Sequence, residues 1–191
     1  ESKTYAFDAG ERAINAHYLR MGWPAQAKKG EFPGIYRTRY FWKETPLVTV
    51  MIPNKDHIGD LEKCLAGIGK EQAYPRLEIL IIENNSTDPA TFEYYEKLKK
   101  EDNRIKIVYY KGEFNYSAIN NFGAEKASGD YFFLLNNDTE FITPDVVSEL
   151  LGFCMRPDVG AAGARLYYGD NTIQHAGVIV GWGGKIGRAH V

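Results

Sequence analysis

Asp130–Glu140 reads DYFFLLNNDTE: an unbroken apolar run, Tyr131 to Leu135, that stops at Asn136-Asn137-Asp138. A short continuous apolar run closed by turn-forming residues predicts a strand buried on both faces, as in a parallel sheet. Asp138 then stands at the strand's carboxyl end, where open α/β sheets place their ligand crevice. A carboxylate there, preceded by two carboxamides and followed by Thr139 and Glu140, is a hard-oxygen group suited to Mg²⁺ or Mn²⁺. A plain Asn/Asp turn that ends a strand has the same composition. The neighbouring segments have to decide between the two.

Working outward, strands alternate with helices. Leu47–Ile52 (LVTVMI) is a β-branched run broken by Pro53, Leu77–Ile82 (LEILII) a second strand ending at Glu83-Asn84-Asn85, and Ile105–Tyr110 a third. Ile58, Leu61, Leu65 and Ile68 mark one helical face between them; Phe92, Tyr95 and Leu98 mark another. Asp88 is placed to cap that second helix, with Pro89 as its first residue. Tyr116–Ala127 predicts a helix before the Asp130–Glu140 stretch. After it, Thr143-Pro144 opens a helix with Val147, Leu150, Leu151 and Cys154 inward. Val159–Tyr168 and Thr172–Val180 then form two strands about Gly169-Asp170-Asn171. The order implies right-handed crossovers and an α/β fold, its mainly parallel sheet flanked by helices. Before Pro46, residues 5–21 predict a helix, and Lys28–Thr45 a linker holding one short strand at Ile35–Phe41. The expected division is 1–45, helix and linker, and 46–191, the α/β domain.

Composition narrows the function. The 191 residues are 44% hydrophobic and 25% charged, as in globular domains, and the formal net charge of −2 gives no footprint for nucleic acid. Cys64 and Cys154 lie far apart in helical patterns without metal-ligand spacing, which favours reduced thiols and a cytoplasmic setting. No apolar run is long enough for an integral membrane segment, although membrane association through the rest of a parent protein is compatible with that. The chain opens at Glu1 and closes on a Gly-rich run, so it is expected to be a piece of a longer protein with further domains.

Three strand ends carry polar groups: Pro53-Asn54-Lys55-Asp56, Glu83-Asn84-Asn85-Ser86 and Asn136-Asn137-Asp138. In a parallel sheet all three fall on one edge. No G-x-G-x-x-G follows the first strand and no G-x-x-x-x-G-K-[ST] occurs, which argues against a Rossmann dinucleotide site and a P-loop. Gly160–Gly163 and Gly181–Gly184 read as turn or packing glycines. His57, His175 and His190 share no metal-binding spacing, and no nucleophile elbow is present. Lys55 and Lys111 read as solvated lysines, and Tyr94, Tyr95, Tyr109 and Tyr110 as packing residues. Asn115, Asn120 and Asn121 suit a pocket, a helix cap or a helix surface equally.

Taken together, PLVTVMIPNKD, IIENNSTDP, FNYSAINNFGAEKASGD, LLNNDTE and TIQHAGV resemble, in this order, the nucleotide-binding half of family 2 glycosyltransferases, which have the GT-A fold. The similarity runs from about Pro46 to the C-terminus and is nearest to bacterial members that build rhamnose-containing and other surface polysaccharides. It implies that Pro53, Asn54 and Asp56 line a nucleobase pocket. Glu83 stands where the family usually has an aspartate that hydrogen-bonds uracil or thymine, with Asn84 beside it in place of the commoner second aspartate. Asn115 and Asn121 would join the nucleotide pocket. Asn136-Asn137-Asp138 matches the family's D-x-D, with Asn136 facing the ribose and Asp138 as the metal ligand. His175 falls in an HAG block with a structural or sugar-pocket role.

The resemblance implies an inverting, metal-dependent transferase of hexosyl type, moving a sugar from a UDP- or dTDP-linked donor to a growing glycan. Mg²⁺ or Mn²⁺ would offset charge on the departing diphosphate. No catalytic base is assigned; in the family it belongs to an acceptor-side segment, here expected beyond Val191. Two other readings remain at this point. One is a nucleotide-sugar or glycan-binding module without activity. The other is a sugar-phosphate nucleotidyltransferase, which would carry a Gly-rich basic phosphate loop after the first strand.

Overall fold

The computed structural model describes residues 4–69, 74–180 and 186–188; Gly181–Gly184 and His190, singled out above, lie outside them. The chain clusters into two compact units, Lys43–Ser148 and a second made of Glu1–Trp42 with Glu149–Val191. The first boundary falls beside the expected one at residue 45. The second divides the stretch 46–191 that the sequence suggested was a single domain.

Lys43–Ser148 is a parallel α/β layer. Its strands are β3 (Val48–Asn54), β4 (Leu77–Glu83), β5 (Ile105–Tyr109) and β6 (Tyr131–Leu134), in the order β5-β4-β3-β6. All three pairings are parallel. Helices α2 (Ile58–Gly69), α3 (Pro89–Glu101) and α4 (Tyr116–Lys126) connect them. The chain moves from β3 through β4 to β5 and then returns past both to place β6 on the other side of β3. Right-handed crossovers therefore put α2 and α3 on one face and α4 on the other. The reversal makes the gap between β3 and β6 the topological switch point.

β4 is buried at every residue and β3 at all but Pro53, the pattern of central parallel strands. Pro53 does not end its strand as expected; β3 runs on to Asn54, opposite Glu83. Alternation explains this. Met51 O accepts from Leu135 N on the β6 side and Asn54 O from Asn84 N on the β4 side. The N–H that Pro53 lacks would thus face β6, whose ladder with β3 ends at Leu134.

β6 corrects a second expectation. It is an edge strand with alternating burial rather than one buried on both faces, and Phe132 and Leu134 are each 50% exposed. Among the described residues β6 has only β3 as partner, so one flank stays open.

On the α4 face, Met51, Leu80, Ile82 and Ile119 form a buried cluster, with Val108, Tyr110 and Phe122 packed against it. Contact is close because α4 carries Gly123: a Cβ there would clash with Ile82 Cδ1 and stand 3.4 Å from Met51 Sδ. The amino-terminal edge of the sheet is tied by a polar cluster. Glu78, 4% exposed, accepts from Thr49 Oγ1 at 2.5 Å, Ser128 N at 2.8 Å and Lys106 Nζ, and Gly129 N donates to Thr49 Oγ1 at 3.0 Å.

The second unit holds α1 (Thr4–Met21) and the antiparallel hairpin of β1 (Ala25–Lys29) and β2 (Tyr36–Tyr40). Residues 28–45 are therefore partly an ordered hairpin and not simply a linker. Asn15 fastens α1 to it, exchanging two hydrogen bonds with the backbone of Ala27. Arg156 lies over the Trp23 ring at 4.2 Å and pairs with Asp158. Helix α5 (Val146–Cys154) begins two residues after Pro144. Beyond it the long strands expected at 159–168 and 172–180 are shorter: β7 (Leu166–Tyr167), β8 (Ile173–His175) and β9 (Val178–Val180), the last paired with β10 (Ile186–Arg188).

Candidate donor site at the strand ends

The carboxyl ends of β3, β4 and β6 lie on one edge of the sheet and bring together Pro53, Asn54, Glu83, Asn84, Asn136, Asn137 and Asp138. Side-chain alternation sends Asn54 to the same face as Val50 and Ile52, and Glu83 to the face of Ile79 and Ile81. That is the α3 face, and Tyr95 of α3 meets both. Tyr95 OH donates to Glu83 Oε2 at 2.7 Å and accepts from Asn54 Nδ2 at 2.8 Å. Asn54 Oδ1 accepts from Asn137 Nδ2 at 2.7 Å, across the switch point.

Glu83 is 2% exposed, and its carboxylate is already engaged. Besides Tyr95 it accepts from Ser86 N at 2.5 Å and from Ser86 Oγ at 2.6 Å. Burial first, and then the carboxylate of Glu83, push the Tyr95 phenol well above its usual range, so the proton stays on the hydroxyl.

Asp56 ties the loop after β3 to the loop after β4. It has left-handed backbone, φ 54°, as do His57 (φ 48°) and Asn85 (φ 60°), the last a residue type that tolerates it. Asp56 Oδ1 accepts from Asp88 N at 3.0 Å and Thr87 N at 2.9 Å, while Asp56 N donates to Ser86 Oγ at 2.7 Å. The backbone hydrogen bond from Asp88, ahead of that from Thr87, holds this carboxyl below its ordinary range. Asn84 is also structural here: buried, it donates through Nδ2 to Tyr110 O and Gly112 O and so docks the loop after β5.

The asparagines of α4 separate by role. Asn115 is the helix cap, accepting from Ala118 N through Oδ1 at 3.0 Å. Asn121 is exposed on the helix. Asn120 is buried; its Nδ2 donates to Tyr116 O, and its Oδ1 lacks a hydrogen-bond partner. Asp88 caps α3 as its sequence suggested, accepting from Ala90 N.

Asn136 and Asp138 are exposed at the edge. Beneath them Cys64 Sγ donates to Asn136 O at 3.6 Å, and burial followed by the nearby Asp138 charge raises that thiol to about 12. Among the described residues no group of three or more His, Cys, Asp or Glu side chains is arranged to hold a metal ion. Asp138 could supply one carboxylate oxygen to an ion that takes its remaining ligands from water and a diphosphate, the habit of Mg²⁺.

The Tyr95 hydroxyl was not picked out by sequence reasoning, and Ser86 entered only as part of the second polar strand end. Tyr95 read as a packing residue on the face of α3, and only the choice of tyrosine over phenylalanine hinted at its hydroxyl. Lys55 and Lys111 are exposed, as expected.

Comparison with known proteins places this geometry. The profile described as "Glycosyl transferase family 2" matches residues 49–180, well over half of the chain. The chain is 37% identical over 191 residues to the uncharacterized protein y4gI of Sinorhizobium fredii, covering all of this chain and 21% of that protein. It is 39% identical over 183 residues to the O-antigen biosynthesis protein RfbC of Myxococcus xanthus, covering 96% of this chain and 14% of that one. The chain thus spans about a fifth or less of these relatives. Among solved structures, the mannosyltransferase PcManGT from Pyrobaculum calidifontis, in complex with GDP-Man and Mn²⁺, shares the fold. Its TM-score is 0.57 at 20% identity, over 82% of this chain and 44% of that one. With its four-stranded parallel sheet flanked by helices, a fold of the GT-A kind, the chain belongs to glycosyl transferase family 2.

Proposed function

We propose that this chain is the donor-binding part of a metal-dependent, inverting glycosyltransferase that moves a sugar from a UDP- or dTDP-linked donor to a growing glycan such as a surface polysaccharide. The observation that carries the reading is the meeting of β3, β4 and β6 ends at the switch point, with Asp138 exposed beside the Asn54–Asn137 bridge. Crevices of open α/β sheets form there. The O-antigen name of one relative supports the acceptor class.

In this reading the base-side loop Glu83–Asp88 receives the nucleoside, and the loop Asn136–Asp138 receives the diphosphate. A divalent ion held by Asp138, Mg²⁺ or Mn²⁺, would supply Lewis-acid neutralisation of the departing diphosphate. The protein's own contribution is positioning: Asn54, Tyr95 and Asn137 fix the two loops relative to one another. The nucleotidyltransferase alternative fares poorly, because only Lys55, Asp56 and His57 separate β3 from α2 and the Asp56 carboxylate is turned to the Thr87 and Asp88 amides.

Inversion needs a base for the acceptor hydroxyl. After Asp138, Glu149 pairs with Arg37 and Arg39, Asp158 with Arg156, and Asp170 accepts from Thr172. We assign that role to none of them and propose for it an acceptor-side segment outside these residues, since the relatives are several times longer than this chain.

Calorimetric titration of UDP, dTDP and GDP, each with and without Mn²⁺, tests the reading. Tightest binding is expected for UDP or dTDP with Mn²⁺. Failure of every nucleotide to bind, or affinities indifferent to the ion, would overturn it.

A further inference from the structure

Five hydrogen bonds along the strand-end edge all lead toward the Glu83 carboxylate. On one branch Asn137 Nδ2 donates to Asn54 Oδ1, Asn54 Nδ2 to Tyr95 OH, and Tyr95 OH to Glu83. On the other, Asp56 N donates to Ser86 Oγ, and Ser86 Oγ to Glu83. A carboxylate accepts and cannot donate, so the direction of each later step is set by the first. Tyr95 must spend its proton on Glu83 and can only accept from Asn54. Asn54 must then present Nδ2 inward, an orientation that the Asp56 carbonyl reinforces by accepting from Nδ2 at 2.9 Å, and Oδ1 toward Asn137. Asn137 is left to donate inward through Nδ2, which turns its carbonyl oxygen away from Asn54.

We propose that Tyr95 is a positioning residue of the donor site, relaying the Glu83 carboxylate to Asn54 and Asn137 and so fixing which end of the Asn137 amide faces Asn54 in the loop that carries Asp138. The metal-side loop is thereby oriented from the base side. The inference rests on the donor-site reading given above, and it concerns a residue on a helix, one strand removed from Asp138. An amide in this position could take either of two orientations, since its two ends have nearly the same shape. A flipped Asn137 amide would exchange donor and acceptor in the loop that carries Asp138.

The isosteric Tyr95→Phe removes only the hydroxyl and keeps the ring's packing in α3. With UDP as probe, the gain in affinity on adding Mn²⁺ is expected to fall about tenfold, the equivalent of one buried hydrogen bond. Affinity for UDP with a chelator present should change less than twofold. A general loosening of the fold would lower both together, and so overturn the proposal, as would an unchanged Mn²⁺ gain. In ¹⁵N-labelled protein without nucleotide, the Asn54 and Asn137 side-chain amide resonances should shift in Tyr95→Phe, and that of Asn121, outside the relay, should stay. An unmoved Asn137 resonance overturns the relay, whatever the nucleotide data. If the unmodified protein shows no Mn²⁺ gain, the donor-site reading fails and takes the positioning role with it, while the resonances still decide whether the relay exists.

Discussion

Asn137 Nδ2 donates to Asn54 Oδ1 at 2.7 Å and so joins the carboxyl ends of β6 and β3, two strands adjacent in the sheet but far apart in the chain. The bond spans the place where the strand order reverses. Whatever enters that crevice meets a rim already braced from within.

Asp138 is exposed and stands without a cluster of other ligating side chains among the described residues. Asp138→Ala should therefore remove the Mn²⁺-dependent part of UDP or dTDP binding while leaving the thermal midpoint nearly unchanged. Paired calorimetry and melting curves check this. Retained Mn²⁺ dependence would move the ion's ligand elsewhere.

Glu83→Gln places an amide NH₂ among groups that all donate. A buried donor facing Tyr95 OH or the Ser86 donors should cost about 1–3 kcal/mol of stability, and weaken nucleotide binding as well. Urea unfolding gives the first number. A variant as stable as the parent would show that the carboxylate does not hold the loop.

Glu78 gives a pH test. Burial opposes its charge, but the hydrogen bonds from Lys106, the Ser128 backbone and Thr49 outweigh burial and bring it to about 2 from 4.5. A carboxyl lowered on folding stabilises fully above 4.5, and that contribution is lost as pH falls toward about 2. Allowing for the exposed Lys106 side chain, the contribution is on the order of 2 kcal/mol. Glu78→Gln should thus be less stable than the parent at neutral pH, with the gap closing near pH 2. A gap independent of pH would assign the loss to packing.

Asp56 should govern the mobility of the loop after β4. In Asp56→Ala the amides of Thr87 and Asp88 lose their acceptor, and their hydrogen exchange should quicken while amides of β4 keep their protection. Acid should do the same to the parent once pH falls below the ordinary carboxylate range, since the Asp88 and Thr87 hydrogen bonds hold this carboxyl low.

Transfer is expected to be slow for this chain alone. With no described carboxylate after Asp138 assigned to take the acceptor's proton, turnover should lie about 10²–10⁴-fold below that of a transferase with such a base in place. Equal rates would show that one of the residues present serves as the base.

Much of this was readable in the residues. The β-branched runs at 48–52 and 77–82 gave the buried central strands, and Asp88-Pro89 gave the start of α3, because these depend on local pattern. The depth of β6 was misjudged: its apolar run resembles that of β4, but burial depends on how many strands flank it, which no single segment encodes. The end of β3 was placed too early because proline's cost depends on which neighbour its missing N–H would face. Alignment of three polar strand ends was legible from order alone. Their wiring was not, since the Tyr95 hydroxyl comes from a helix and its direction is set by a carboxylate on another element.

Gly123 lies near the far end of α4 from Asn115, about 12 Å away along the helix axis. With no side chain at residue 123, α4 rests on the sheet at that point, and a methyl there would meet Ile82. Ile119 and Asn120, one turn back toward the Asn115 cap, are buried as well, so the helix lies flat from that turn to Gly123. Changes in the volume of Ile82 or Met51, buried under α4, would therefore be transmitted along the whole helix.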